Sequence, residues 1–228
     1  MKKIALYTCN FGNYRNEFKQ YTEVTFNDNI DYFIFTDKVI ENNRLNKWKI
    51  CNIDMINDNT IMPKNRLNSK YVKFILPNEL KDYDIIVWMD NRQMINMYKF
   101  KYENIIKLVE LYPNYDLFNL KHNERTTIKE ELIETIRLKY ENIEPAKQFL
   151  EKIKDYKSNF LQPDTSIIIR KNNKIINDAF KYCYDGLIEY KLKRDQNVYN
   201  YIMDRENVLP YLFKTIDEFA QMAPLAPI

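Results

Sequence analysis

The stretch Asp84-Ile85-Ile86-Val87-Trp88-Met89-Asp90 decides the fold. Five apolar residues follow one another without a polar alternation, which fits a short strand covered on both faces better than a helix. A carboxylate stands directly after the run, where the chain must leave the sheet. Working outward, five weaker runs share the strand signature: Lys3–Cys9, Asp31–Thr36, Lys47–Ile53, Asp116–Leu120 and Thr165–Arg170. Between them the apolar spacing becomes helical, over Arg66–Leu76, Lys101–Tyr112, Lys174–Glu189 and Arg194–Met203. Thr127 and Glu130 form a capping-box pattern that opens a helix toward Tyr140, and Pro145 suits the first turn of another reaching Tyr156. This alternation predicts one α/β domain over residues 1–228, with a mostly parallel central sheet and helices on both faces. The tail from Ala220 to Ile228 reads as irregular.

Composition narrows the chemistry. The 228 residues are 45% hydrophobic and 29% charged, enough to build a core. Lys+Arg 35 against Asp+Glu 32 is too balanced for a dedicated nucleic-acid binder. Average usage would give about 16 glycines, whereas only Gly12 and Gly186 occur. Dinucleotide fingerprints and P-loops, which need clustered glycines, are therefore excluded in their usual forms. Cys9, Cys51 and Cys183 lack metal or disulfide spacing, and the lone His122 rules out two-histidine metal motifs. No signal peptide and no run of roughly 18–20 apolar residues is present, so the expected location is cytoplasmic. The Asn-, Lys-, Ile- and Tyr-rich composition points to an AT-rich bacterial or viral genome.

Ligands of open α/β sheets gather at the carboxyl ends of strands. After the first run come Tyr7, Thr8 and the Asn10–Tyr14 turn, and Asp37 follows the second. Asp90-Asn91-Arg92 follows the fourth, and Lys121–Arg125 the fifth. Asp90 is either a turn residue or a ligand for a cation on a phosphorylated substrate. Arg66, Lys70 and Lys73 share one helical face, either as a solvated surface or as a cationic patch for a diphosphate. Asp195 opens the last predicted helix, where it would complement the helix dipole.

Taken in order, the motifs K-I-A-L-Y-T-x-x-F-G-N-Y (3–14), D-Y-x-x-F-T-D (31–37), R-x-x-x-K-x-x-K-x-x-L-P (66–77), Y-D-x-x-V-W-M-D (83–90), H-x-x-R-x-x-I-x-E-E (122–131), I-I-I-R (167–170) and R-D-Q (194–196) resemble a known family. It is the glycosyltransferase-like family that includes plant mucilage and turgor-regulation proteins, formerly a domain of unknown function, with bacterial and viral members. The resemblance covers about residues 3–201 and leaves 204–228 as a C-terminal extension. It implies a GT-A-like fold, a nucleotide-sugar donor (a UDP-sugar above all), a glycan or glycoconjugate acceptor, and a divalent metal, Mn²⁺ or Mg²⁺. By the same resemblance Tyr7, Thr8 and Phe11 border the nucleoside, Asp37 lies near base or ribose, and Arg66, Lys70 and Lys73 face the diphosphate. Asp90 stands for the first acid of a D-x-D metal motif; His122 and Arg125 face donor or acceptor; Asp195 serves the acceptor side, and Gln196 after it belongs with the donor-binding residues. Position 92 is an arginine where a second acid would complete D-x-D, so Arg92 is a candidate to supply charge in place of metal. The competing expectation is a catalytically silent nucleotide-sugar or carbohydrate-binding module.

Overall fold

A computed structural model describes residues 1–12, 21, 24–39, 47–54 and 62–221. Asn13 and Tyr14 of the first motif, and the tail beyond Gln221, lie outside the described residues. All six expected strands form: β1 (Ile4–Asn10), β2 (Ile30–Thr36), β3 (Trp48–Asn52), β4 (Ile85–Met89), β5 (Leu117–Lys121) and β6 (Pro163–Lys171). A seventh, β7 (Tyr211–Phe213), corrects the expected count. Its three residues are too few for a periodic signal to emerge from sequence.

The strand order is β3-β2-β1-β4-β6-β5-β7. Pairs β1–β2, β1–β4, β2–β3 and β5–β7 are parallel, while β6 runs antiparallel to both β4 and β5. The sheet is thus mostly parallel, with β6 reversed in its middle. That reversal matters for position, because β6 begins at the edge where β1, β2, β4 and β5 end.

The helices are α1 (Lys64–Phe74), α2 (Tyr102–Leu111), α3 (Ile128–Arg137), α4 (Ile143–Lys152), α5 (Lys174–Glu189), α6 (Gln196–Arg205) and α7 (Ile216–Gln221). A 3₁₀ segment, Asn91–Lys99, follows β4. Side chains alternate across β1, so Ala5, Tyr7 and Cys9 face one layer and Ile4 and Leu6 the other. The first layer holds Val72 and Phe74 of α1, Leu132 of α3, Phe149 of α4, Phe180 of α5 and Ile202 of α6. The second holds Met94 and Met97, Ile105 and Leu108 of α2, and Phe219 of α7. Helices therefore cover both faces, as expected. The segment beyond residue 204 is not a separate appendage: β7 extends the sheet beside β5, and Phe219 stacks on Phe100 at 4.7 Å. Ala220 and Gln221, expected to be irregular, end α7. No helix among the described residues is long and apolar enough to cross a membrane.

Candidate functional site

Helix α1 begins just after Pro63 and carries Arg66, Lys70 and Lys73. Arg66 is exposed, but Lys70 is half-buried and Lys73 is 1% exposed. A solvated face is thereby overturned for the latter two, which turn inward above the carboxyl edge of the sheet. Both meet one carboxylate. Lys70 Nζ donates to Asp195 Oδ1 at 2.6 Å and Lys73 Nζ to Asp195 Oδ2 at 2.5 Å. The Thr165 hydroxyl donates to Asp195 Oδ2 at 3.0 Å.

Asp195 is 5% exposed and occupies the residue before α6, yet its side chain caps no backbone N–H there. Burial alone would raise its carboxyl pKa; the two ammoniums outweigh that and hold it well below the usual carboxylate range. Burial in turn pushes Lys70 below the ordinary lysine value, with Asp195 opposing the shift. The three groups form a buried cluster with two positive charges on one negative. Asp90 lies beside it as a second carboxylate, and the cluster sits where an α/β sheet presents ligands.

Asp90 adjoins the cluster. Its Oδ1 accepts the Trp88 indole N–H at 2.9 Å and lies 3.9 Å from Lys73 Nζ, which also stands over the Trp88 ring at 5.5 Å. The metal expected at Asp90 finds a poor donor set. An ammonium already faces the carboxylate, and no group of three His, Cys, Asp or Glu side chains that could hold an ion occurs among the described residues. Arg92 is 61% exposed in its side chain and lies 3.7 Å from Asp164 Oδ1.

On the other face of β1, Thr8 donates to Asn91 Oδ1 at 2.9 Å, and the Tyr21 hydroxyl donates to that same oxygen. Asp37 accepts the Gly12 N–H with both oxygens, at 3.0 and 3.1 Å. Gly12 has φ +66, and a Cβ there would lie 3.2 Å from Asn65 Cβ, so the turn is built for glycine. Tyr7 and Phe11 are not beside Thr8. Strand alternation places them in the layer under α1, where Tyr7 packs edge-on against Trp88 and donates to the Lys73 carbonyl at 3.0 Å. Buried this way, the Tyr7 phenol is pushed up to about 12. It supports Lys73 from below and has no exposed surface. Asn10, in contrast, is buried at the end of β1 with neither side-chain polar atom hydrogen-bonded.

His122 and Arg125 occupy the turn after β5. The His122 Nδ1 accepts backbone N–H groups of Glu124 and Arg125 at 3.2 and 3.1 Å, and its Nε2 faces the Arg125 guanidinium at 2.9 Å. Burial and the nearby Arg125 hold the imidazole pKa below its usual value, favouring the neutral form. Arg125 Nε donates to buried Glu131, and its Nη1 to Glu124. These two residues fasten the turn to α3 and are not joined to the Asp195 cluster directly. Gln162 makes the link: its carbonyl accepts the His122 N–H, its N–H donates to the Thr126 carbonyl, and its amide donates to the Gln196 carbonyl at 2.9 Å. Beside this link lies a cavity of about 450 Å³, lined by Thr126–Lys129 and Tyr156–Leu161.

Thr165 and Gln162 were not singled out by sequence, whereas Asn10 opens the turn expected at the ligand edge. Thr165 had a signal, since it heads the strand run that precedes R-D-Q; Gln162 had none, because its role depends on contacts distant in sequence.

Among solved structures, the chain is similar to the apo form of the bifunctional glycosyltransferase WbbM, at 11% identity and a TM-score of 0.48. That match covers 93% of this chain and 39% of WbbM. The galactosyltransferase LgtC, in complex with donor and acceptor sugar analogs, matches at 8% identity and a TM-score of 0.46, over 98% of this chain and 97% of that one. No family model and no curated protein matches significantly. Likeness of this degree says nothing about activity, which must be argued from the side chains.

Proposed function

We propose that the chain is a GT-A-like glycosyltransferase moving a sugar from a nucleotide-diphosphate donor, a UDP-sugar, to a hydroxyl of a glycan or glycoconjugate. The observation that carries the reading is the buried Lys70–Asp195–Lys73 cluster at the carboxyl edge of the sheet. In the transfer, the acceptor oxygen bonds to the anomeric carbon as the bond from that carbon to the diphosphate oxygen breaks. The departing diphosphate gains negative charge, and cations already in place stabilise it without reorganisation. Lys70 and Lys73 supply those charges, with Arg66 and Arg92 at the margin.

Asp195 opposes the burial that would otherwise neutralise Lys70. Facing the sugar, its negative charge also stabilises the oxocarbenium-like anomeric centre. A carboxylate whose pKa lies so far below neutrality is a weak proton acceptor, so the acceptor proton leaves by another group or by water. The nucleoside lies along Thr8, Asn10 and Asp37. The acceptor lies toward the cavity between Thr126–Lys129 and Tyr156–Leu161, with Gln196 and Gln162 between it and Asp195. The poor donor set at Asp90 leads us to route no step through a metal.

Thermal shifts with UDP-, GDP-, dTDP- and CMP-sugars test this reading. A ligand at a hundredfold excess over Kd stabilises by about 2.7 kcal/mol. Stabilisation by one nucleotide class, lost in Lys73→Met and followed by release of the nucleoside diphosphate, is expected. No stabilisation by any donor would overturn the reading. Binding without transfer or donor hydrolysis would select a silent binding module, for which the ammonium facing Asp90 is the favouring observation.

A further inference from the structure

Asp195 lies in the short link between α5 and α6 and has no cap of its own. What orients this link is a third acid. Glu141, in the connection between α3 and α4, is buried and points at the two residues before Asp195. Its Oε1 accepts the Lys193 N–H at 3.0 Å, the Arg194 N–H at 2.7 Å and the Asn197 amide at 2.9 Å. Its Oε2 accepts the Lys193 N–H at 2.8 Å. Asn197, in the first turn of α6, also donates to the Thr135 hydroxyl of α3 at 3.0 Å. One carboxylate therefore ties down the backbone before Asp195 and the Asn197 side chain after it. The Arg194 side chain is turned away, over the Tyr140 ring at 5.4 Å and onto Gln196 Oε1 at 3.2 Å.

We propose that Glu141 is the positioning residue of the candidate site, its ionised carboxylate holding the Lys193–Arg194 backbone so that Asp195 reaches Lys70 and Lys73 together. Every partner of its two oxygens is a donor. A protonated Glu141 turns one oxygen into a donor facing another donor, and the clasp loosens. The charged groups around it are Lys193 and Arg194 from the link, and Lys139 and Glu144, which line with it a cavity of about 730 Å³ between α3 and α4. Burial pushes the Glu141 carboxyl above its usual range, against the pull of the N–H donors and Lys193. Protonation on mild acidification thus reaches Glu141 before ordinary surface carboxylates, while Asp195 stays ionised.

This inference rests on the reading that the Asp195 cluster binds the donor diphosphate, and two readouts separate them. The first follows the ¹H–¹⁵N signals of the Lys70 and Lys73 ammoniums with pH. In the wild type they should move in one step as Glu141 takes its proton. In Glu141→Gln they should sit near the acid-form position throughout, with circular dichroism unchanged. Wild-type lysine signals in that variant would overturn the proposal. The second readout is the affinity for inorganic pyrophosphate at neutral pH, expected to fall about tenfold in Glu141→Gln. Unchanged affinity would also overturn it. If the wild type itself ignores pyrophosphate, the diphosphate reading falls, and the lysine signals still decide the role of Glu141. Should Glu141→Ala fail to fold, the glutamine variant alone carries the test, since it keeps an acceptor for Arg194.

Discussion

Lys73 ends among Phe74, Trp88, Asp90 and Asp195, with its stem packed in the apolar layer. Spacings of three and four along α1 placed it on one face with Lys70, which was readable from sequence. Which way that face points was not readable, because a lysine stem packs against apolar neighbours as readily as it reaches solvent. The consequence is testable. Replacing Asp195 by asparagine leaves two buried ammoniums without their partner, and breaking a buried pair in this way costs roughly 3–5 kcal/mol. Urea unfolding of Asp195→Asn at neutral pH should show that loss. The folded pKa of Asp195 is depressed, so its contribution is complete above the ordinary carboxylate pKa of about 3.9 and fades as pH falls through the folded value. The gap between wild type and variant should therefore narrow in strong acid; a gap that persists would remove the ion cluster as its cause. Exchanging the whole cluster, Lys70→Met with Lys73→Met and Asp195→Leu, should leave stability close to wild type while abolishing nucleotide-sugar binding.

At the scale of elements, the six long strands and six of the helices were legible because each carries a period of its own. The reversal of β6 was not, since a fully apolar run such as Ile167-Ile168-Ile169 reads alike in either direction. Nor was the irregular pairing of β5 with β6. Asn119 faces Ile168, whereas the next residue, Leu120, faces Asp164. Of the skipped residues, Ile167 stays paired with Met89 of β4, and the Ser166 carbonyl accepts the Asp90 N–H at 2.8 Å. Released from β5, Thr165 turns its hydroxyl to Asp195, a bulge re-aiming one side chain at a site. Helix packing sets the other coordinate of the site. Gly186 lies in the middle of α5, and a Cβ there would stand 3.0 Å from Val198 Cγ2 of α6. Local propensity says that Gly186→Ala stabilises a helix by about 1 kcal/mol. Overpacking says the reverse, by about 1–3 kcal/mol. Because the contact is with the helix that follows Asp195, overpacking should win. Denaturation should show a net loss of about 1 kcal/mol, together with weaker donor binding; a more stable variant would mean that α6 can yield without disturbing the site.

For the molecule as a whole, the sheet divides the chain into two layers with different duties. The layer under α1, α5 and α6 supports the cluster, and the layer under α2 and α7 is closed by the C-terminal segment. That segment was read as an extension outside the family resemblance, because the motifs stop near residue 201. Its packing joins it to the sheet. Phe213 and Phe219 are fully buried, β7 covers the edge of β5, and the Tyr211 hydroxyl donates to the Tyr112 hydroxyl at 2.8 Å. Removing residues 211–228 would strip two buried phenylalanines, each contributing about 1.5–3 kcal/mol. It would also leave β5 as a bare edge, an aggregation template. Together these losses approach the whole stability of a typical domain, about 5–15 kcal/mol. The truncated chain should lose cooperative unfolding and aggregate. Cooperative melting of the shorter chain at an unchanged temperature would show that the β5 edge and Phe100 are covered by other means, and that the domain ends before β7.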